Sequence, residues 1–316
     1  MSIEETAEQI SKMDALLQRL SSSHTSYIKL KDDYMKIVAG LRGEKELARQ
    51  LKRLPQDGFV VLAGARLFQD GIPFQMDGLI LSPKLIIIVE SKNMFGTLFF
   101  DTEFNQMIRL ANDVEEGYRN PITQVSFHKE QLQKWLFING FGHPPIETLV
   151  SISHPSTILK TNAANQSQIF SQVMHAENIV GAIIQLQDKY DQTYLNVGEI
   201  SALIERFHTP VDLNLLEKYE IKVKDLLTGV HCPNCKSLPM KRVYGKWLCP
   251  SCSSFSKDAH VKAIRDYLLL IQPTISNKQC RDFLHLKSAN IAQLMLRSMG
   301  LRAEGETKSR VYRIAE

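Results

Sequence analysis

Met76-Asp77-Gly78-Leu79-Ile80-Leu81, then Ser82-Pro83-Lys84, then Leu85-Ile86-Ile87-Ile88-Val89-Glu90-Ser91-Lys92 is the stretch that decides the fold. Two apolar runs carry an Asp at the start of the first and a Glu-x-Lys at the end of the second. The block over 85–89 is too short to cross a bilayer and has the composition of a strand buried on both faces. Side chains alternate along a strand, so Glu90 and Lys92 share one face and Ser91 takes the other. If the runs pair as a hairpin through Ser82-Pro83-Lys84, Asp77 returns to the Glu90 end. Two carboxylates and an ammonium then share a small volume, which suits a hard divalent cation and a water nucleophile. A plain surface ion pair between Glu90 and Lys92 is the competing reading, and it would contribute little stability.

The 316 residues exceed one average domain, and 44% hydrophobic with 23% charged content is ordinary for a globular chain. No apolar run approaches the roughly 20 residues of a membrane span, and Met1-Ser2-Ile3-Glu4-Glu5 is acidic rather than a signal sequence. A cytoplasmic protein without membrane attachment is expected. The cysteines agree: four form two Cys-x-x-Cys pairs and Cys280 is left over, which is not a disulfide framework. The net charge of +4 is unevenly spread. Residues 231–316 hold 15 Lys and Arg against 6 Asp and Glu, a net of +9, while the remainder holds 23 against 28, a net of −5. The basic end is the expected polyanion contact.

Ile3, Ile10 and Leu17, with Met13 and Leu20, predict an amphipathic helix over 3–20. It offers a surface for its own protein, for a homo-oligomer or for a partner. A second helix is expected over about 26–39. Gly40-Leu41-Arg42-Gly43 punctuates the chain, and a third helix is expected from Glu44 to Leu54. Glu44 would then lie in a first turn, where the helix dipole favours an anion and where it could also reach a metal. Strands are expected over 59–62 and 96–100, with a turn signal over 68–73. Asn120-Pro121 opens a helix through Gln124, Val125, His128, Leu132 and Trp135, with Asn120 as cap. Strands over 147–153 and 167–174 and helices over 176–186 and 198–207 complete an alternation that implies an α/β core.

Cys232-Pro233-Asn234-Cys235 and Cys249-Pro250-Ser251-Cys252 flank a hairpin pattern over 240–248. Four thiolates at this spacing predict a closed, tetrahedral structural zinc site resembling a zinc ribbon, with His231 adjacent but surplus. Beyond it come helices over 258–271, from Ser276 and from Ser288. A basic hairpin around Gly305 follows, and the whole looks like a winged helix-turn-helix. The third of these helices would be the recognition element, offering Ser288, Asn290, Gln293 and Arg297, with Lys308 and Arg310 from the wing. Protein contact is the alternative use of such a bundle. The expected organisation is an N-terminal helical segment (1–37), an α/β domain (38–207), a connector (208–230), a ribbon (231–256) and a winged-helix-like end (257–316).

With those residues in hand, the α/β region resembles the nuclease-related domain (NERD) of the PD-(D/E)xK nuclease superfamily over roughly residues 38–150. The resemblance rests on Gly43-Glu44, Asp77, Glu90-Ser91-Lys92, and Asn120-Pro121 with Gln124; Met76 stands where the superfamily's name has Pro. It implies a restriction-endonuclease-like mixed sheet flanked by helices, with Asp77 and Glu90 binding Mg²⁺ or Mn²⁺. It implies that Glu44 adds a carboxylate, that Lys92 orients or helps deprotonate the attacking water, and that Gln124 positions water or substrate. The implied activity is a metal-dependent nuclease, with DNA favoured over RNA. The alternative is a non-catalytic nucleic-acid-binding or regulatory protein that retains the fold.

Overall fold

The computed structural model describes residues 3–55, 57–211, 214–306 and 309–314, so Lys308, an expected nucleic-acid contact, lies outside the described residues. The chain divides into two compact units, Met1–Glu8 with Met35–Asp212, and Gln9–Tyr34 with Leu213–Glu316. The helices α1 (Ile3–Arg19) and α2 (Tyr27–Leu51) contribute residues to each. Among the described residues no helix is long and apolar enough to cross a membrane.

The expected break at Gly40 to Gly43 is absent, because α2 runs continuously through both glycines. Glycine costs a helix interior about 1 kcal/mol relative to alanine, and packing can offset that. A Cβ on Gly43 would stand 2.9 Å from Asn93 Cβ and 3.1 Å from Ser91 Oγ, so here the helix crosses the end of a strand in contact. Gly43 is a contact point rather than a stop. Glu44 therefore lies deep within a helix and draws nothing from an N-terminal dipole, contrary to the expectation from sequence.

The first unit continues with strands β1 (Val60–Gln69), β2 (Ile72–Leu81) and β3 (Ile86–Lys92). Next come β4 (Thr97–Asp101), β5 (Gln106–Ala111) and β6 (Val114–Arg119), then helix α3 (Pro121–Ile138). After these lie β7 (Ile146–Ile152), β8 (Ile158–Thr161), helix α4 (Gln166–Phe170) and β9 (Val173–His175). Helices α5 (Ile179–Gln187) and α6 (Val197–Phe207) close the unit. The main sheet has order β1-β2-β3-β7-β9, antiparallel through β1, β2 and β3 and parallel from β3 onward. A second sheet, β6-β5-β4-β8, stands beside it.

Three local expectations are corrected. β1 extends to Gln69, and only Asp70 and Gly71 turn the chain, both at positive φ as a two-residue hairpin demands. Asp77 consequently sits inside β2 rather than at its start. The expected strand over 167–174 opens instead within the short helix α4 (166–170), which buries no side chain, and only 173–175 pair with β7.

Alternation sorts the core into two layers. Ile87 and Val89 of β3 pack with Leu47 and Leu51 of α2 and Ile179 and Ile183 of α5. Ile86 and Ile88 pack on the opposite face with Val125, Leu132 and Leu136 of α3 and Ile200 and Ile204 of α6. This is the mixed sheet flanked by helices, and it carries Glu90 and Lys92 toward α3.

The second unit adds helix α7 (Leu215–Lys218) and a small sheet of β10 (Lys241–Val243), β11 (Lys246–Leu248) and β12 (Phe255–Ser256). Then come α8 (Ala259–Leu270), β13 (Ile275–Ser276), α9 (Asn277–Leu284) and α10 (Ala289–Ser298), ending with β14 (Arg302–Glu304) and β15 (Val311–Arg313). The last three strands form one sheet in the order β13-β15-β14. Ser276 and Gln279 form a capping box on α9, and Ser288 caps α10. Trp247 of the ribbon shares one core with Ile264, Tyr267 and Leu268 of α8.

Candidate active site

The β2–β3 hairpin has the register Gly78↔Val89, which sets Asp77 beside Glu90. The Ser91 backbone N–H donates to Asp77 Oδ2 at 2.9 Å. Gly64 of β1 lies opposite Asp77 and adopts φ +65°, a conformation that glycine takes at little cost. From the other side, α2 packs directly on β2: a Cβ at Gly78 would meet Leu47 Cδ2 at 3.2 Å. Glu44, one turn before Leu47 and Ala48, is thereby brought to Asp77, and both line one cavity of about 270 Å³ with Ile3 and Leu51. Thr6 Oγ1 donates to Glu44 Oε2 at 3.3 Å. Two further bonds fix α2 against the strand ends: Asn93 Nδ2 donates to the Ala39 carbonyl at 2.9 Å, and Ser153 Oγ to the Gly43 carbonyl at 3.3 Å.

Lys92 Nζ donates to Glu90 Oε1 at 2.6 Å and to Gln124 Oε1 at 3.1 Å. Gln124 is held there by the start of α3, where Asn120 Oδ1 accepts from the Ile122 N–H at 3.0 Å and Pro121 occupies the first turn. The residue Glu90 is 3% exposed, so the reading of a surface ion pair is overturned. A buried pair of this kind gains strength from low dielectric but carries a desolvation cost, and is a poor device for stability alone. Glu44, Asp77, Glu90, Lys92 and Gln124 are thus gathered in one place.

Electrostatics here favours an added cation. Burial, then repulsion from Asp77, pushes Glu90 up to about 7, opposed by Lys92 and the Gln124 amide. Burial, then Asp77, likewise pushes Glu44 up to about 7. Burial raises Asp77, against the pull of the Ser91 N–H and of Lys92. Hard oxygen donors with excess negative charge fit Mg²⁺ or Mn²⁺. Among the described residues the three carboxylates do not form a group with all ligand atoms within 4.8 Å, so they are no closed cage. That agrees with Mg²⁺, which takes one or two carboxylates and keeps several waters.

His128, one turn past Gln124 on α3, was read from sequence only as part of a helix. Its Nδ1 stands 4.0 Å from Glu90 Oε2. Burial, then Lys92 and Arg119, lowers its pKa to about 4, so the imidazole is neutral and the contact is not an ion pair. The i, i+4 spacing of Gln124 and His128 was the available signal. Gly64 and Thr6 carried none, because their roles depend on segments distant in sequence.

The second cluster is in the other unit. Cys232, Cys235, Cys249 and Cys252 have sulfurs all within 4.8 Å of one another, and none is in a disulfide. The Cys232–Cys252 and Cys235–Cys249 sulfur separations are 3.7 and 3.5 Å. Tetrahedral bonds of about 2.3 Å to one zinc place sulfurs roughly 3.8 Å apart, so the cluster is consistent with a zinc ribbon. His231 is outside it. On α10, Asn290 and Arg297 are exposed and Gln293 is half-buried, alongside exposed Ile291 and Leu294. Arg310 is half-buried.

Residues 39–153 match the family model of the nuclease-related domain, NERD. The match runs from within α2 to just past β7 and includes all five gathered residues. Residues 39–153 are thus nuclease-related, and a four-Cys cluster follows them. Searches of curated proteins and of solved structures found no match.

Proposed function

We propose that this protein is a metal-dependent nuclease that hydrolyses phosphodiester bonds, with DNA as the favoured substrate. The observation that carries the reading is Lys92, held between Glu90 and Gln124, with Asp77 on the adjoining strand beside Glu90. Asp77 and Glu90 would hold Mg²⁺ or Mn²⁺, with Glu44 reaching it directly or through water. Such an ion supplies an activated water and draws charge from the phosphodiester. Lys92, as an ammonium, would orient that water and offset charge that develops on the phosphate. Gln124 fixes the Lys92 ammonium through its carbonyl and presents its amide to water or substrate.

In the second unit, zinc in the four-Cys cluster would staple the ribbon. Asn290, Gln293, Arg297, Lys308 and Arg310 would contact nucleic acid, a role that the net charge of +9 over 231–316 supports. A purely binding protein has no evident use for three carboxylates gathered in one place, one buried and two half-buried, which supports the catalytic reading.

The test is a cleavage assay on circular, linear and single-stranded DNA, and on RNA, with Mg²⁺ and with Mn²⁺. Wild-type protein should cleave at least one substrate, and Asp77→Ala or Lys92→Ala should lower the rate by about 10³-fold or more while the fold is kept. No cleavage of any substrate with either metal would sink the proposal.

A further inference from the structure

From α3, His128 Nδ1 approaches the site at Glu90 Oε2. The residue is 7% exposed, and Nδ1 is buried with no hydrogen-bond partner. It lies among Val125, Leu132 and Leu136 on the buried face of the helix, where a leucine would pack at no polar cost. A buried polar atom without a partner is unfavourable, so its retention asks for a reason. Glu90 offers one. Lys92 occupies Glu90 Oε1 at 2.6 Å, and the other oxygen, Oε2, is the atom 4.0 Å from Nδ1. A carboxylate only accepts, so the tautomer that suits this approach carries its hydrogen on Nδ1. The separation is about 1 Å too long for a hydrogen bond, and such contacts commonly tighten when a site is assembled.

We propose that His128 is a positioning residue for Glu90: its Nδ1–H steadies Oε2 while Lys92 holds Oε1, fixing the orientation in which the carboxylate takes a divalent cation. The inference rests on the nuclease reading above, in which Glu90 is a metal ligand. Outer partners of this kind set ligand orientation, and their loss costs metal affinity about 10- to 100-fold. Along α3, Gln124 then addresses Lys92 and His128 addresses Glu90 from successive turns of one helix face.

The experiment measures Mn²⁺ binding by calorimetry and the Mn²⁺ dependence of cleavage, using the full chain preloaded with zinc. Wild type is compared with His128→Leu, His128→Asn and His128→Gln, and Glu90→Gln marks binding at this site. Asn places an N–H where Nδ1 stands, whereas Gln places one nearer the Nε2 position. His128→Leu should weaken Mn²⁺ about tenfold, with cleavage recovering at saturating metal and the thermal midpoint without added Mn²⁺ unchanged or higher. His128→Asn should stay within about threefold of wild type, and His128→Gln should fall toward the leucine value. If His128→Leu does not fold, the Asn and Gln pair still decides. Equal Mn²⁺ affinity across the series, or His128→Asn as weak as His128→Gln and His128→Leu, overturns the positioning role and leaves the nuclease reading intact. Wild-type protein that neither binds Mn²⁺ nor cleaves overturns that reading and this inference with it.

Discussion

The carboxylate edge of the first unit and the four-Cys cluster of the second gather ligand atoms for opposite ends. The cysteines come from two turns of one small module, with sulfurs 3.5 and 3.7 Å apart in the pairs bridging it. Four thiolates can close a tetrahedron and leave no position for chemistry, so an ion bound there would act as a staple. Glu44, Asp77 and Glu90 come from three elements, α2, β2 and β3, that pack through apolar core residues of their own. They form no closed cage, and each carries a raised pKa, so their arrangement works against the fold's own stability. A zinc in the four-Cys cluster would hold the ribbon's fold, whereas the sheet and helices bring the carboxylates together.

The sharpest way to break this contrast is to remove one ligand from each. Cys249→Ser should release zinc and unfold the ribbon, seen as loss of bound metal and of protected amides over 231–256. Glu90→Gln should cut metal-dependent cleavage by about 10³-fold or more, yet leave the thermal midpoint without added Mg²⁺ or Mn²⁺ unchanged or raised, because a costly buried charge is gone. A large fall in that midpoint would show that the carboxylates stabilise the fold after all. An intermediate effect is expected at Gly43. A methyl there meets Asn93 Cβ at 2.9 Å, so Gly43→Ala should cost about 1–3 kcal/mol in denaturant unfolding and lower the cleavage rate through a displaced Glu44. Gly40→Ala, with nothing within 4 Å of its Cβ, is the matched control and should be neutral or stabilising.

The smallest effect is in pH. Glu44 and Glu90 titrate near 7 in the folded chain against an ordinary value of 4.5, so between those values the folded state holds protons that the unfolded state has released. Stability without Mg²⁺ or Mn²⁺ should therefore fall as pH rises through 4.5 to 7 and level off above. Mn²⁺ requires the ionised forms, so its thermal stabilisation should be larger at pH 8 than at pH 5.5, by a few degrees. An equal Mn²⁺ effect at both pH values would remove these two carboxylates from the metal site.

Much of the candidate site was legible in the chain because it follows from short-range rules. A period of two put Glu90 and Lys92 on one face, and a short hairpin returned Asp77 to them, although its link is the four residues 82–85 and not the expected Ser82-Pro83-Lys84. Asn120-Pro121 began the helix that presents Gln124. The second sheet was legible only in β4: the polar, exposed β6 shows no alternation to read, and β8 has only four residues. Gly43 misled because glycine has the same local signature whether it ends a helix or lets one press against a strand.

By itself, then, the sequence determined the order of the candidate site residues, the two thiolate pairs, and which strand faces carry charge, since each depends on neighbours within a few residues. Tertiary structure alone decided that α2 passes unbroken over the end of β3, that Glu44 meets Asp77 from it, that Glu90 is desolvated, and that His128 Nδ1 faces its second oxygen. Those outcomes depend on which surfaces exclude water from one another, and segments distant along the chain supply that.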